Sequence, residues 1–176
     1  SSAASDVYKR QVTSSYVEDN VVITDPIEMV KAQALGKARC ANDVPDGSIV
    51  LGADTIVVFD GKVLGKPHSK DEARTMLRTL SGQVHSVITG VALLIKEREI
   101  VFHNETKVYF KTLQDFEIES YIDSMEPMDK AGAYGIQGLG GLLVEYIKGD
   151  YFNIVGFPIS SAAVSYTHLT LPTIRL

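Results

Sequence analysis

Asp54 and Lys66 bracket most of a stretch running Gly-Ala-Asp-Thr-Ile-Val-Val-Phe-Asp-Gly-Lys-Val-Leu-Gly-Lys-Pro from Gly52 to Pro67. A carboxylate can hold a divalent cation or take a proton from water, and an ammonium neutralises phosphate as a compact point charge, so the pair suits a phosphorylated substrate. The same two residues read equally well as a surface aspartate and a surface lysine flanking a turn, because loops commonly carry charge. The elements around them decide whether they can meet. Ile49-Val50-Leu51 is a short β-branched run after Pro45-Asp46-Gly47, which predicts a buried strand that delivers Asp54 at its C-terminal end. Ile56 to Phe59 is a second apolar run, and Asp60-Gly61 is a strong hairpin signal that returns the chain through Val63-Leu64 to Lys66, between Gly65 and Pro67. In an α/β sheet, ligands collect beyond the carboxyl ends of strands, so these two charges can converge on one cleft.

Further polar residues stand at the ends of other predicted elements. Glu18-Asp19 is an acidic pair. Asp25-Pro26-Ile27-Glu28 supplies a cap, a proline at the first helical position and an acid at capping-box spacing, so a helix begins there. Ile27, Val30, Ala34, Leu35 and Ala38 form its apolar stripe. Lys37 adjoins that stripe and can reach into a cleft, although a solvated lysine is the commoner case. Ser69, three before Glu72, caps a second helix to Leu80, with Ala73, Met76, Leu77 and Leu80 facing inward. Val84 to Ile95 and Ile100 to Phe110 read as a long antiparallel hairpin with one wet face. A third helix spans Leu113 to Met125 on the apolar set Phe116, Ile118, Tyr121 and Ile122. Asp129 to Gly141 is irregular and glycine-rich, Leu142 to Ile147 and Tyr151 to Val155 are expected strands, and Gly156-Phe157-Pro158 leads into a final helix. Mixed strands and helices give an α/β class, with a mixed, twisted sheet flanked by helices.

A chain of 176 residues with 45% hydrophobic and 22% charged composition accommodates one domain with an ordinary core. The net charge of -5 with scattered lysines and arginines argues against a nucleic-acid-binding face, although a few local cations and a metal can still hold a polyanion. Cys40 is the single cysteine, which rules out an internal disulfide and fits a reducing compartment. No apolar run approaches the ~20 residues of a membrane span and no signal peptide is evident, so a cytoplasmic location is expected. The glycines fit neither a dinucleotide-binding nor a P-loop pattern, and the four histidines lack zinc-ligand spacing. The two ends, Ser1 to Gln11 and Ser165 to Leu176, look like translated adapter sequence, the latter breaking off a helical pattern with Thr, His and Pro. One domain over 12–164 is therefore expected.

Read together, G-A-D-T-x-V-V, L-G-K-P, L-S-G-x-x-H-S-V-x-T, E-P-x-D-K-A-G-A-Y-G-I-Q-G and G-D-Y-F-N-I-V-G-F-P resemble, in this order, the motifs of the Maf family of nucleoside triphosphate pyrophosphatases. The resemblance implies a two-lobed, inosine-triphosphatase-like α/β fold and hydrolysis of a nucleoside triphosphate to the monophosphate and pyrophosphate. It makes Asp54 the proton acceptor, Lys37 and Lys66 phosphate-binding lysines, and Thr55 and Gln137 residues that influence base choice. Its acidic metal site falls on Glu18 and Asp19 together with Asp54, for Mg²⁺ or Mn²⁺. The G-I-Q-G form is similar to the subgroup acting on dTTP and UTP. The family's opening S-x-S-P-R-R is not matched, so the first strand and helix are expected to be missing. A non-catalytic nucleotide-binding regulator of cell division is the alternative, and the oligomeric state is left open, a homodimer included.

Overall fold

The computed structural model describes residues 11–12, 14–16, 23–95 and 98–170. Its centre is a five-stranded sheet in the order β2-β1-β3-β4-β5, made of β1 (Ile49–Phe59), β2 (Lys62–Leu64), β3 (Val84–Ile95), β4 (Arg98–Phe110) and β5 (Val144–Lys148). All four ladders between these strands are antiparallel. The helices are α1 (Pro26–Arg39), α2 (Lys70–Leu80), α3 (Asp115–Asp123), α4 (Tyr151–Val155) and α5 (Ile159–Thr170), joined after α3 by short 3₁₀ turns. The chain is thus α/β, a sheet flanked by helices. No helix among the described residues is long and apolar enough to cross a membrane.

Both predicted caps form. The Asp25 carboxylate accepts from the N–H of Ile27 at 2.8 Å and of Glu28 at 3.2 Å, and the Ser69 hydroxyl accepts from the Glu72 N–H at 3.1 Å. Asp60 and Gly61 carry φ of 48° and 73°, the left-handed pair that a two-residue hairpin between Phe59 and Lys62 demands. The long β3–β4 hairpin also forms, with Thr106, Val108 and Phe110 buried and Lys107 exposed on the other face.

Five expectations are corrected. The two apolar runs around Asp54 form one 11-residue strand, so Asp54 lies in the middle of β1 and not at a strand end. Its small neighbours do not stop the strand; they let α1 approach it. A Cβ at Gly52 would lie 2.3 Å from the Ala34 carbonyl oxygen, and one at Gly90, paired with Asp54 across β3, would lie 2.3 Å from that of Val30. Tyr151 to Val155 is a helix, because Asp150 caps it through the Phe152 N–H at 2.9 Å and Gly156 closes it at φ 113°, and these ends override the strand preference of the residues between them. Phe116 is 72% exposed, since it lies two positions before Ile118 and so on the face of α3 opposite Ile118, Tyr121 and Ile122. Leu139–Leu143 is a 3₁₀ turn, so β5 starts only at Val144, and α5 continues past Ser165 to Thr170.

The sheet separates two packing layers. On one side α1 packs Val30 against Ile56 and Ile88, and Ala34 and Ala38 against Ala92. On the other, Val57, Val87, Val108 and Phe110 meet Leu77 and Leu80 of α2 and Ile118 and Ile122 of α3 in the main core. Even-numbered residues of β1 therefore face α1 and odd-numbered ones face the main core.

Candidate functional site

Thr55, Lys66 and Gln137, drawn from three separate segments, line one cavity of about 500 Å³. Thr55 reaches it as an odd-numbered residue of β1. Lys66 reaches it because the Gly132 N–H donates to the Gly65 carbonyl at 3.0 Å, tying the Gly-Lys-Pro segment to the turn at Ala131–Ala133. Gln137 stands in a glycine-rich loop held by a residue that sequence reasoning did not single out. The Glu126 carboxylate accepts from the Leu139 N–H at 2.9 Å, the Gly140 N–H at 3.0 Å and the Tyr121 hydroxyl at 3.0 Å. The Tyr121 hydroxyl oxygen in turn accepts from the Gly135 N–H at 3.1 Å. Burial works to raise the Glu126 carboxyl, but the two amides and the tyrosine outweigh it and hold the group below its ordinary range. The one sequence signal for this clamp is Glu126 standing before Pro127, which alone reads as a turn.

Tyr134 also lines the cavity, and behind it stands a neutral aromatic cluster. His85 Nε2 lies 2.8 Å from the Tyr134 hydroxyl, and Phe110 meets both rings edge-on. Burial pushes the His85 imidazole down to about 4 and the Tyr134 phenol upward. At the rim the Lys130 ammonium donates to Asp129 at 2.6 Å, and that hydrogen bond keeps the Asp129 carboxyl below its ordinary range.

Asp54 and Lys37 do come together, but on the other side of β1. Lys37 Nζ lies 2.5 Å from Asp54 Oδ1 under the C-terminal half of α1, and neither residue lines the cavity. The lysine next to the apolar stripe is thus committed to a carboxylate on the neighbouring strand. β2 pairs only with Val57 to Phe59, so among the described strands Ile49–Ile56 has a partner on the β3 side alone. Asp54 and Thr55 project to opposite sides of this open strand edge.

Glu18 and Asp19 lie outside the described residues. Among the described residues no three acidic, histidine or cysteine side chains converge on a point that could hold a metal. Asp54 offers carboxylate oxygens, the donor type that hard divalent cations take, and Mg²⁺ commonly binds through one or two carboxylates with substrate phosphates completing the shell.

The sequence model of one family, described as Maf-like protein, matches residues 3–166. A dTTP/UTP pyrophosphatase of Bacillus cytotoxicus is 48% identical over 151 residues, covering 85% of this chain and 79% of that protein. Proteins of the same name from Bacillus mycoides and Bacillus anthracis are each 45% identical over the same shares of both chains. With so much of its length matched at this identity, the chain belongs to the Maf family.

Proposed function

We propose that this chain hydrolyses nucleoside triphosphates, dTTP and UTP among them, to the nucleoside monophosphate and pyrophosphate. The observation that carries the reading is the 48% identity over 151 residues to a dTTP/UTP pyrophosphatase. The cavity supports it, since a cation and an uncharged amide line one space large enough for part of a nucleotide.

In this reading the oxygen of a water molecule bonds to the α-phosphorus. The bridging oxygen leaves with pyrophosphate, and Asp54 takes the water's proton. Positioning and charge neutralisation supply most of the rate in such transfers, because little covalent chemistry falls to the protein. Lys37 orients the Asp54 carboxylate through its 2.5 Å contact, and Lys66 neutralises phosphate from the cavity wall. The Gln137 amide, with a donor and an acceptor, matches the alternating edge of a pyrimidine, and Thr55 lines the same cavity. Asp54 with Glu18 and Asp19 would hold Mg²⁺ or Mn²⁺, which when bound supplies charge neutralisation at the phosphates. The activity is assigned to one domain over 12–164, acting on the cytoplasmic nucleotide pool.

The test is a panel of dTTP, UTP, CTP, ATP and GTP with Mg²⁺, scored for monophosphate and pyrophosphate. Equimolar release of both from dTTP and UTP is expected. Release of orthophosphate overturns the reaction. Nucleotide binding without turnover overturns the enzyme and favours a non-catalytic regulator of division.

A further inference from the structure

The Thr55 hydroxyl has a fixed hydrogen-bond polarity. Its Oγ1 lies 2.9 Å from Thr89 Oγ1, and Thr89 Oγ1 donates to the Asn153 carbonyl oxygen at 2.7 Å. A hydroxyl has one hydrogen and a carbonyl only accepts, so the Thr89 hydrogen is committed to Asn153. Thr89 can then only accept from Thr55. The Thr55 hydrogen points inward, and only lone pairs remain for the cavity that Thr55 lines. Thr89 and Asn153 are both 0% exposed, so no water competes for these contacts.

Asn153 is itself pinned. Its Nδ2 donates to the Val87 carbonyl at 3.0 Å and to Thr106 Oγ1 at 3.1 Å. The Thr106 hydroxyl donates to the Asp150 carbonyl at 3.0 Å and accepts from the Asp150 N–H at 3.1 Å, so its hydrogen is also spoken for. These anchors fix α4 against β3 and β4 and hold the Asn153 carbonyl over Thr89. The end of α4 also closes on Thr55, since a Cβ at Gly156 would lie 3.5 Å from Thr55 Oγ1.

We propose that Thr89 and Asn153 are positioning residues that make Thr55 an obligate acceptor toward the base, selecting a ring that presents an N–H at that point. The inference rests on the nucleotide reading above and names the atom that the cavity selects. Uracil and thymine carry a hydrogen on N3, whereas cytosine carries a lone pair on the same ring atom. Against an acceptor-only oxygen, cytosine sets lone pair against lone pair. A hydroxyl free to rotate would accept either ring, so the discrimination lies in the buried relay and not in Thr55 alone.

The experiment compares wild type with Thr89→Val, Thr89→Ser, Thr55→Val and the double Thr55→Val/Thr89→Val variant. Two readouts are taken: kcat/KM for UTP and CTP, and Kd for their non-hydrolysable α,β-methylene analogues. Valine keeps the shape of Thr89 but frees the Thr55 hydrogen, so the preference for uridine over cytidine should fall by about five- to tenfold, as expected for one hydrogen bond. Thr89→Ser keeps the hydroxyl and should keep the preference. In the Thr55→Val background, Thr89→Val should add nothing. An unchanged preference in Thr89→Val, or an equal change with Thr55 already removed, overturns the relay. Wild type that binds both analogues but turns over neither nucleotide sinks the proposed reaction alone, because the Kd ratio still tests the relay.

Discussion

The two sides of β1 are built on different principles. On the α1 side the helix closes on the sheet at Gly52 of β1 and Gly90 of β3, and the Lys37–Asp54 ion pair stands at the crossing. On the other side Val57 packs into the main core, while Thr55 opens onto a cavity walled by polar loops and lined by Tyr134, whose hydroxyl meets the neutral His85 behind it. One side offers an ion pair in a rigid frame, and the other offers the Lys66 ammonium and hydrogen-bonding groups around an open space. Adjacent residues of a strand point to opposite faces, so Asp54 and Thr55 divide these tasks with no extra chain. A nucleotide needs both a charged end and a discriminating end.

The largest effect that would break this contrast is on the α1 side. Asp54→Asn keeps the shape of the side chain but cannot accept a proton, so turnover should fall by ~10²- to 10⁴-fold while nucleotide still binds. Pyrophosphate release paired with a binding titration measures both. Turnover at the wild-type rate would remove Asp54 from the chemistry and leave the Lys37 contact purely structural.

The second effect belongs to the main-core side of the sheet and is read as pH dependence. His85 falls from an ordinary value of 6.5 to about 4 in the folded chain. A lowered histidine costs nothing while it is neutral in both states. As pH falls below 6.5 the unfolded chain gains a proton that the folded chain refuses, and stability is lost until pH reaches about 4. The shift corresponds to about 3 kcal/mol at its full extent. Thermal melts of wild type and His85→Gln from pH 7.5 to 4 should therefore diverge in slope, the variant losing less. Parallel curves would mean that His85 is protonated in the folded core.

A third test returns to the α1 side. Gly90→Ala puts a methyl where the Val30 carbonyl already stands, so α1 must move outward at a cost of about 1–3 kcal/mol. A lower melting temperature is expected, with the Lys37–Asp54 contact disturbed and base preference unchanged. A change in base preference would show that the two sides are mechanically coupled.

The sequence made local chemistry legible and left spatial assembly hidden. Caps, the Asp60-Gly61 hairpin and the β3–β4 hairpin are set by neighbours within a few residues, and they form as read. Gly52-Ala53 looks like a strand ending from the sequence, whereas the demand for small residues comes from α1 packing across the strand, so the place of Asp54 in mid-strand is hidden. Tyr151 to Val155 has strand composition, but its cap residues govern it. Thr55, Lys66 and Gln137 were legible through the family resemblance and share a cavity. The Glu126 clamp and the Thr55–Thr89–Asn153 relay were not legible, since each joins segments whose proximity no spacing reveals.

The smallest effect sharpens the contrast within the cavity itself. Gln137 and Glu126 line the same cavity, and Glu126 already accepts from two N–H groups and one O–H. Gln137→Glu would add a third carboxylate to those of Glu126 and Asp129 that line the cavity. An ionised carboxylate only accepts hydrogen bonds, so it loses the donor half of the amide's match to a pyrimidine. It also adds negative charge to a cavity that takes an anionic substrate. An unmet polar contact of this kind costs ~1 to 3 kcal/mol, which predicts a fall of about tenfold or more in kcat/KM for dTTP and UTP relative to the other nucleotides. The panel of five triphosphates measures it, with a thermal melt to separate binding from folding. If all five fall together, Gln137 only holds the loop, and base choice rests on the Thr55 side of the cavity.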